Sequence, residues 1–179
     1  MQPVWRQSHW RLSTFSGLLL AGYFVPVWAV AAWRIVLSPI HGLFERPNVA
    51  VAIFISEHLQ TPALTTVRLA WLLALGKLTV VAFFLVFAAL MLRRAVRRGR
   101  GGDEALGIAL TLGCAISFAS MAFAAKVGEA AALQLHATEL MLLLGTAILM
   151  LVDQPPAATL SPGDAGLPEA GYSLSSPSS

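Results

Sequence analysis

A chain of 179 residues, 57% hydrophobic and only 12% charged, has little polar surface to offer water and room for one compact unit. Its net charge of +3 comes mostly from arginines beside apolar runs, which suits membrane borders better than nucleic acid. The single cysteine, Cys114, excludes an intrachain disulfide and sits in an apolar run as a small packing residue.

Residues 16–36 form the first of four apolar stretches, each near the ~20 residues that a bilayer core requires. Trp5 and Trp10 precede it, and Trp28 and Trp33 mark its far end, as expected of indoles among lipid headgroups. Arg6, Arg11, the apolar core and Ala29-Val30-Ala31 also resemble a secretory signal peptide. Apolar character continues through Val36 and Leu37, which favours an uncleaved first helix. Pro26 falls inside it, a position that membrane helices tolerate.

The next segment is the longest polar-bounded stretch between spans. Ser38-Pro39-Ile40-His41-Gly42 reads as a turn, and residues 48–55 form an apolar run too short to cross. A short helix lying in the membrane interface is the favoured reading, with a re-entrant segment buried by the other helices as the alternative. Pro62 suits the start of the second span, over residues 66–92. Taken from residue 63, that helix is about 45 Å long, more than the ~30 Å hydrocarbon layer, so its first turns protrude or the helix tilts.

Residues 93–100 then carry five arginines in eight positions. Such a loop resists translocation and is expected in the cytoplasm, which puts both termini of a four-span chain there too. Arg34, Arg46, Arg68 and Lys126 fall on the outward side, fewer and more widely spread. Abundant arginine, alanine and leucine match GC-rich bacterial genomes, so a bacterial inner membrane is the expected location.

The third span, 105–125, places Thr111, Cys114, Ser117 and Ser120 on one strip. Gly113 with Ser117 and Ser120 with Ala124 have small-xxx-small spacing, which lets helices approach closely and argues for a central position. The fourth span is 132–152. Residues 153–179 are rich in Pro, Ala, Gly and Ser, lack Lys and Arg, and read as a disordered tail. The expected fold is an all-α four-helix membrane bundle over residues 1–152, with a short interfacial helix between the first two spans.

Ionisable residues at membrane depth carry the functional content. Counting back from the inner ends puts Lys77 about 6 Å and Glu139 about 9 Å below the outer boundary, with His136 one turn above Glu139. Ser120 reaches a similar depth. One reading is an outward polar pocket in which Lys77 and Glu139 pair and His136 titrates or binds a ligand. In the simpler reading Lys77 snorkels to the headgroups, while His136 and Glu139 specify helix packing.

His41, Glu45, Glu57, His58, His136 and Glu139 all lie towards the outer side, so His41, Glu45, His58 and His136 are weak metal candidates. No HExxH or CxxC motif supports them, and a bis-histidine haem would need a second intramembrane histidine. Ser117 or Ser120 with His136 could be drawn as a hydrolytic dyad, but serines in membrane helices usually serve packing. No cofactor is expected.

The leading functional reading is a non-enzymatic integral membrane protein, an accessory or assembly subunit of an inner-membrane complex. Its partners are the lipid bilayer and other membrane subunits or further copies of itself, not nucleic acid. The alternative is a small transporter or proton-linked carrier using Lys77, His136 and Glu139. A membrane redox or metalloenzyme ranks below both.

Overall fold

The computed structural model describes residues 12–60, 62–93 and 101–153. Most of the arginine loop, the N-terminal Trp5, Arg6, Trp10 and Arg11, and the tail from 154 onward lie outside the described residues. Six α-helices follow in order: α1 Leu12–Leu37, α2 Pro39–Leu43, α3 Val49–Phe54, α4 Ala63–Leu92, α5 Gly101–Val127 and α6 Ala130–Val152. A π-helical turn, Ile55–Leu59, extends α3. There is no strand among the described residues, and the four long helices are each apolar enough to cross a membrane.

The chain turns where backbone chemistry demands it. Ser38-Pro39 ends α1 and opens α2, because proline lacks an N–H and fixes a helical φ at the first position. Gln60 adopts a left-handed conformation after the π turn, and Pro62 caps α4. Between α5 and α6 only Gly128 and Glu129 intervene, and Gly128 has φ +74°, a value glycine reaches without a Cβ clash. Such short links force neighbouring helices antiparallel.

Each long helix packs against its neighbours in sequence, and α1 closes on α6, so the four make a ring. The helices interlock around Phe24, which stacks on Phe84 at 5.8 Å and meets Trp28 edge-on at 5.1 Å. Val80, Phe87, Leu106, Ala109, Leu110 and Leu143 complete this core. Outside it, Leu19, Leu72, Leu75, Met141 and Ile148 are among the many large apolar residues left exposed. In water that surface would drive aggregation; against lipid tails it is matched, and close packing and polar contacts hold the helices together instead.

Gly113, Ser117, Ser120 and Ala124 are all buried, so the small-residue face of α5 is where its neighbours approach. A Cβ on Gly113 would come within 3.2 Å of Leu143. α5 contacts α3, α4 and α6, one place in the ring.

The segment between α1 and α4 is packed onto the bundle. Asn48, Ala50 and Ala52 are each 1% exposed, and α3 packs on α5 and reaches α2. Phe54 stacks on Phe123 of α5 at 4.5 Å. Beneath α2, a Cβ on Gly42 would lie 2.6 Å from the Ile35 backbone nitrogen, so only glycine lets α2 fold this tightly onto the end of α1. Alanines at the contacts let the segment lie deep enough to cap one end of the bundle.

Candidate functional site

Beneath that cap lies a polar cluster drawn from every long helix. Trp28 comes from α1, Lys77 from α4, Ser117 from α5, and His136 and Glu139 from α6; the cap adds Pro47 and Asn48. Lys77, His136 and Glu139 are only 2–3% exposed.

Glu139 is the hub. Its Oε1 accepts from the Trp28 indole N–H at 3.1 Å, and its Oε2 lies 3.0 Å from His136 Nδ1. The Ser117 hydroxyl donates to the same oxygen at 3.5 Å, a weak contact. His136 and Glu139 meet because three positions along a helix bring side chains onto one face. The other ring nitrogen, His136 Nε2, lies 3.1 Å from the backbone oxygen of Pro47.

Lys77 reaches the cap as well. Its ammonium donates to Asn48 Oδ1 at 2.5 Å, and Asn48 Nδ2 donates to the Gly42 carbonyl at 3.0 Å. Lys77 Nζ also stands 5.6 Å from the centre of the Trp28 ring, at cation–π range. Trp28 therefore lies between the two charges, its ring facing the cation and its N–H bound to the carboxylate. No direct Lys77–Glu139 ion pair forms among the described residues; the Trp28 side chain contacts both. The expected direct pair is thus an indirect one, because the amide oxygen of Asn48 takes the ammonium first.

The cluster is closed. Among the described residues, no buried side-chain nitrogen or oxygen lacks a hydrogen-bond partner. A buried network satisfied in this way is rigid and fixes which surfaces meet.

Three participants escaped the sequence reading. Trp28, assigned to the headgroup belt, is 2% exposed, whereas Trp33 at 61% suits that role. The signal was available: Leu20, Phe24, Trp28 and Ile35 repeat on one helix face and are all buried. Asn48 and Pro47 were read as the edge of an apolar run. Ser120 is buried on α5 but makes none of the cluster's hydrogen bonds; Ser117, one turn earlier, does.

The metal candidates are not brought together. His41 lies 3.2 Å from the Ser38 hydroxyl, Glu45 pairs with Arg34 at 2.9 Å, and His58 stacks on Phe54. Among the described residues no three His, Cys, Asp or Glu side chains converge. Ser117 donates towards a carboxylate and not towards His136, so the serine–histidine dyad is not formed.

Comparison of the chain with protein-family models, with curated proteins and with solved structures finds no match.

Proposed function

We propose that this integral membrane protein is a non-enzymatic accessory or assembly subunit of a bacterial inner-membrane complex. In this reading the arginine loop and both termini face the cytoplasm, and the α2–α3 cap faces outward. The charge bias of the loops supports that orientation. The observation that carries the functional reading is the closure of the polar cluster. Its donors and acceptors are engaged with one another, so they fix four spans and a cap rather than pointing at a substrate. A rigid bundle with short connections acts through its contacts with neighbours. Gentle detergent extraction from native membranes, with cross-linking and affinity purification, should recover a second membrane subunit in fixed ratio. Recovery of this chain alone would overturn the assignment.

A second reading, a proton-linked carrier, is favoured by one feature: Lys77, His136 and Glu139 share a single buried cluster. Ionisable groups inside a membrane bundle commonly mark ion or proton paths. Reconstitution into liposomes with an imposed pH gradient tests it; solute or proton flux above that of empty vesicles supports it, and its absence removes it.

A further inference from the structure

The hydrogen-bond geometry around His136 fixes how many protons the cluster holds. Both ring nitrogens face oxygens: Nδ1 faces the Glu139 carboxyl group and Nε2 faces the Pro47 carbonyl. A carbonyl only accepts, so Nε2 carries a hydrogen. Between Nδ1 and Oε2 there must also be one proton, on the ring if the pair is imidazolium–carboxylate, or on the acid if it is imidazole–carboxylic acid. The two forms contain the same number of protons, one more than a neutral histidine beside a carboxylate, and that proton belongs to the pair.

We infer that His136 and Glu139 form a buried one-proton binding site whose occupancy latches the α2–α3 cap onto the bundle. When the proton leaves, one lone pair of the ring must face an oxygen. If Nδ1 keeps the remaining hydrogen for Glu139, the bare Nε2 repels the Pro47 carbonyl and that tie of the cap to α6 is lost. The alternative tautomer turns a bare Nδ1 towards the carboxylate, which is repelled more strongly by its full negative charge. Release of Pro47 is therefore the favoured route.

The two states differ by one charge. From α4, Lys77 balances the carboxylate once the proton has gone, so the unlatched cluster is neutral; the latched cluster carries one net positive charge, which the Asn48 amide oxygen and the Trp28 ring face. Tyr23 of α1 is a further ionisable side chain on the Glu139 side of the cluster. Among the described residues, α5 contributes the Ser117 hydroxyl, and the cap the Asn48 amide and the Pro47 carbonyl. Because proton binding and cap seating are linked, each favours the other. The inference concerns the chain's own conformation and holds for an assembly subunit or a carrier alike.

Hydrogen exchange on the full chain in nanodiscs, at several pH values and corrected for intrinsic exchange, provides the test. Amides of residues 48–55 should lose about tenfold in protection as pH rises, the equivalent of one buried hydrogen bond, while the middles of α4 and α5 stay constant. Glu139→Gln should abolish that dependence and leave the cap protected. Its amide N–H can donate to Nδ1 of a neutral imidazole whose Nε2–H still serves Pro47. His136→Gln, which cannot titrate, gives an independent check if Glu139→Gln does not accumulate. Protection that is independent of pH in the wild type overturns the inference. So does a dependence surviving both substitutions, which would trace to another titratable group at the cap, Lys77 through Asn48, His41 or His58.

Discussion

At the scale of single residues, the direct partner of Lys77 is not the one that opposite charges suggest. Lys77 is bound to Asn48 directly and to Glu139 only across the Trp28 ring. A double-mutant cycle between Lys77→Met and Asn48→Leu in bicelles should give a coupling of about 1–3 kcal/mol, the range for a buried hydrogen bond to a charged group. The cycle between Lys77→Met and Glu139→Gln should give a smaller coupling of the same sign. A larger value for the second cycle would restore the direct pair. Trp28→Phe keeps a ring beneath the ammonium but removes the N–H from Glu139. We expect it to cost about 1.5–3 kcal/mol in detergent unfolding, whereas Trp33→Phe, on an exposed position, should be near neutral. The common depth of Lys77, His136 and Glu139 was legible in the sequence, because depth follows from rise per residue. Their partners were not. Hydropathy treats an indole at the end of a span as an interface anchor whether it faces lipid or protein, and nothing local marks Asn48 as an acceptor for a lysine 29 positions away.

At the scale of elements, all four spans emerge within a few residues of the expected limits, since length and apolarity are properties of contiguous sequence. The cap is different: its helices are short, and whether an eight-residue apolar run lies on a bundle or in it depends on the surface that receives it. Here that surface is lined by Ala124, Ala132 and Phe123. Gly42 and Gly22 separate tight contact from mere helical preference. Gly42→Ala drives a methyl group into the backbone of α1 and should lower stability by about 1–3 kcal/mol, the usual cost of overpacking. Gly22→Ala meets nothing within 4 Å and should instead stabilise α1 by about 0.5–1 kcal/mol. Thermal unfolding of the two variants in one detergent compares the signs. Equal effects would mean that α2 can rise from α1 at no cost.

For the whole molecule, an even number of spans would return α6 to the membrane side from which α1 enters, and the proposed orientation predicts which side that is. In a Cys114→Ser background, a cysteine at Ser56 in the exposed π turn should react with an impermeant thiol reagent in intact cells. A cysteine at Ser175 should react only after permeabilisation; the reverse pattern would invert the topology. The ring also imposes an order on biosynthesis. Three hydrogen bonds stitch α1 to the end of the chain: Ser13 N–H to the Asp153 carboxylate, the Ser16 hydroxyl with that of Thr146, and the Trp28 indole to Glu139. Their partners lie 140, 130 and 111 positions downstream. Because α1 leaves the ribosome before α6, these contacts of α1 are completed late. Until α6 arrives, the Trp28 N–H and the Ser16 hydroxyl lack these partners, and lipid headgroups, water or the insertion machinery must stand in for them.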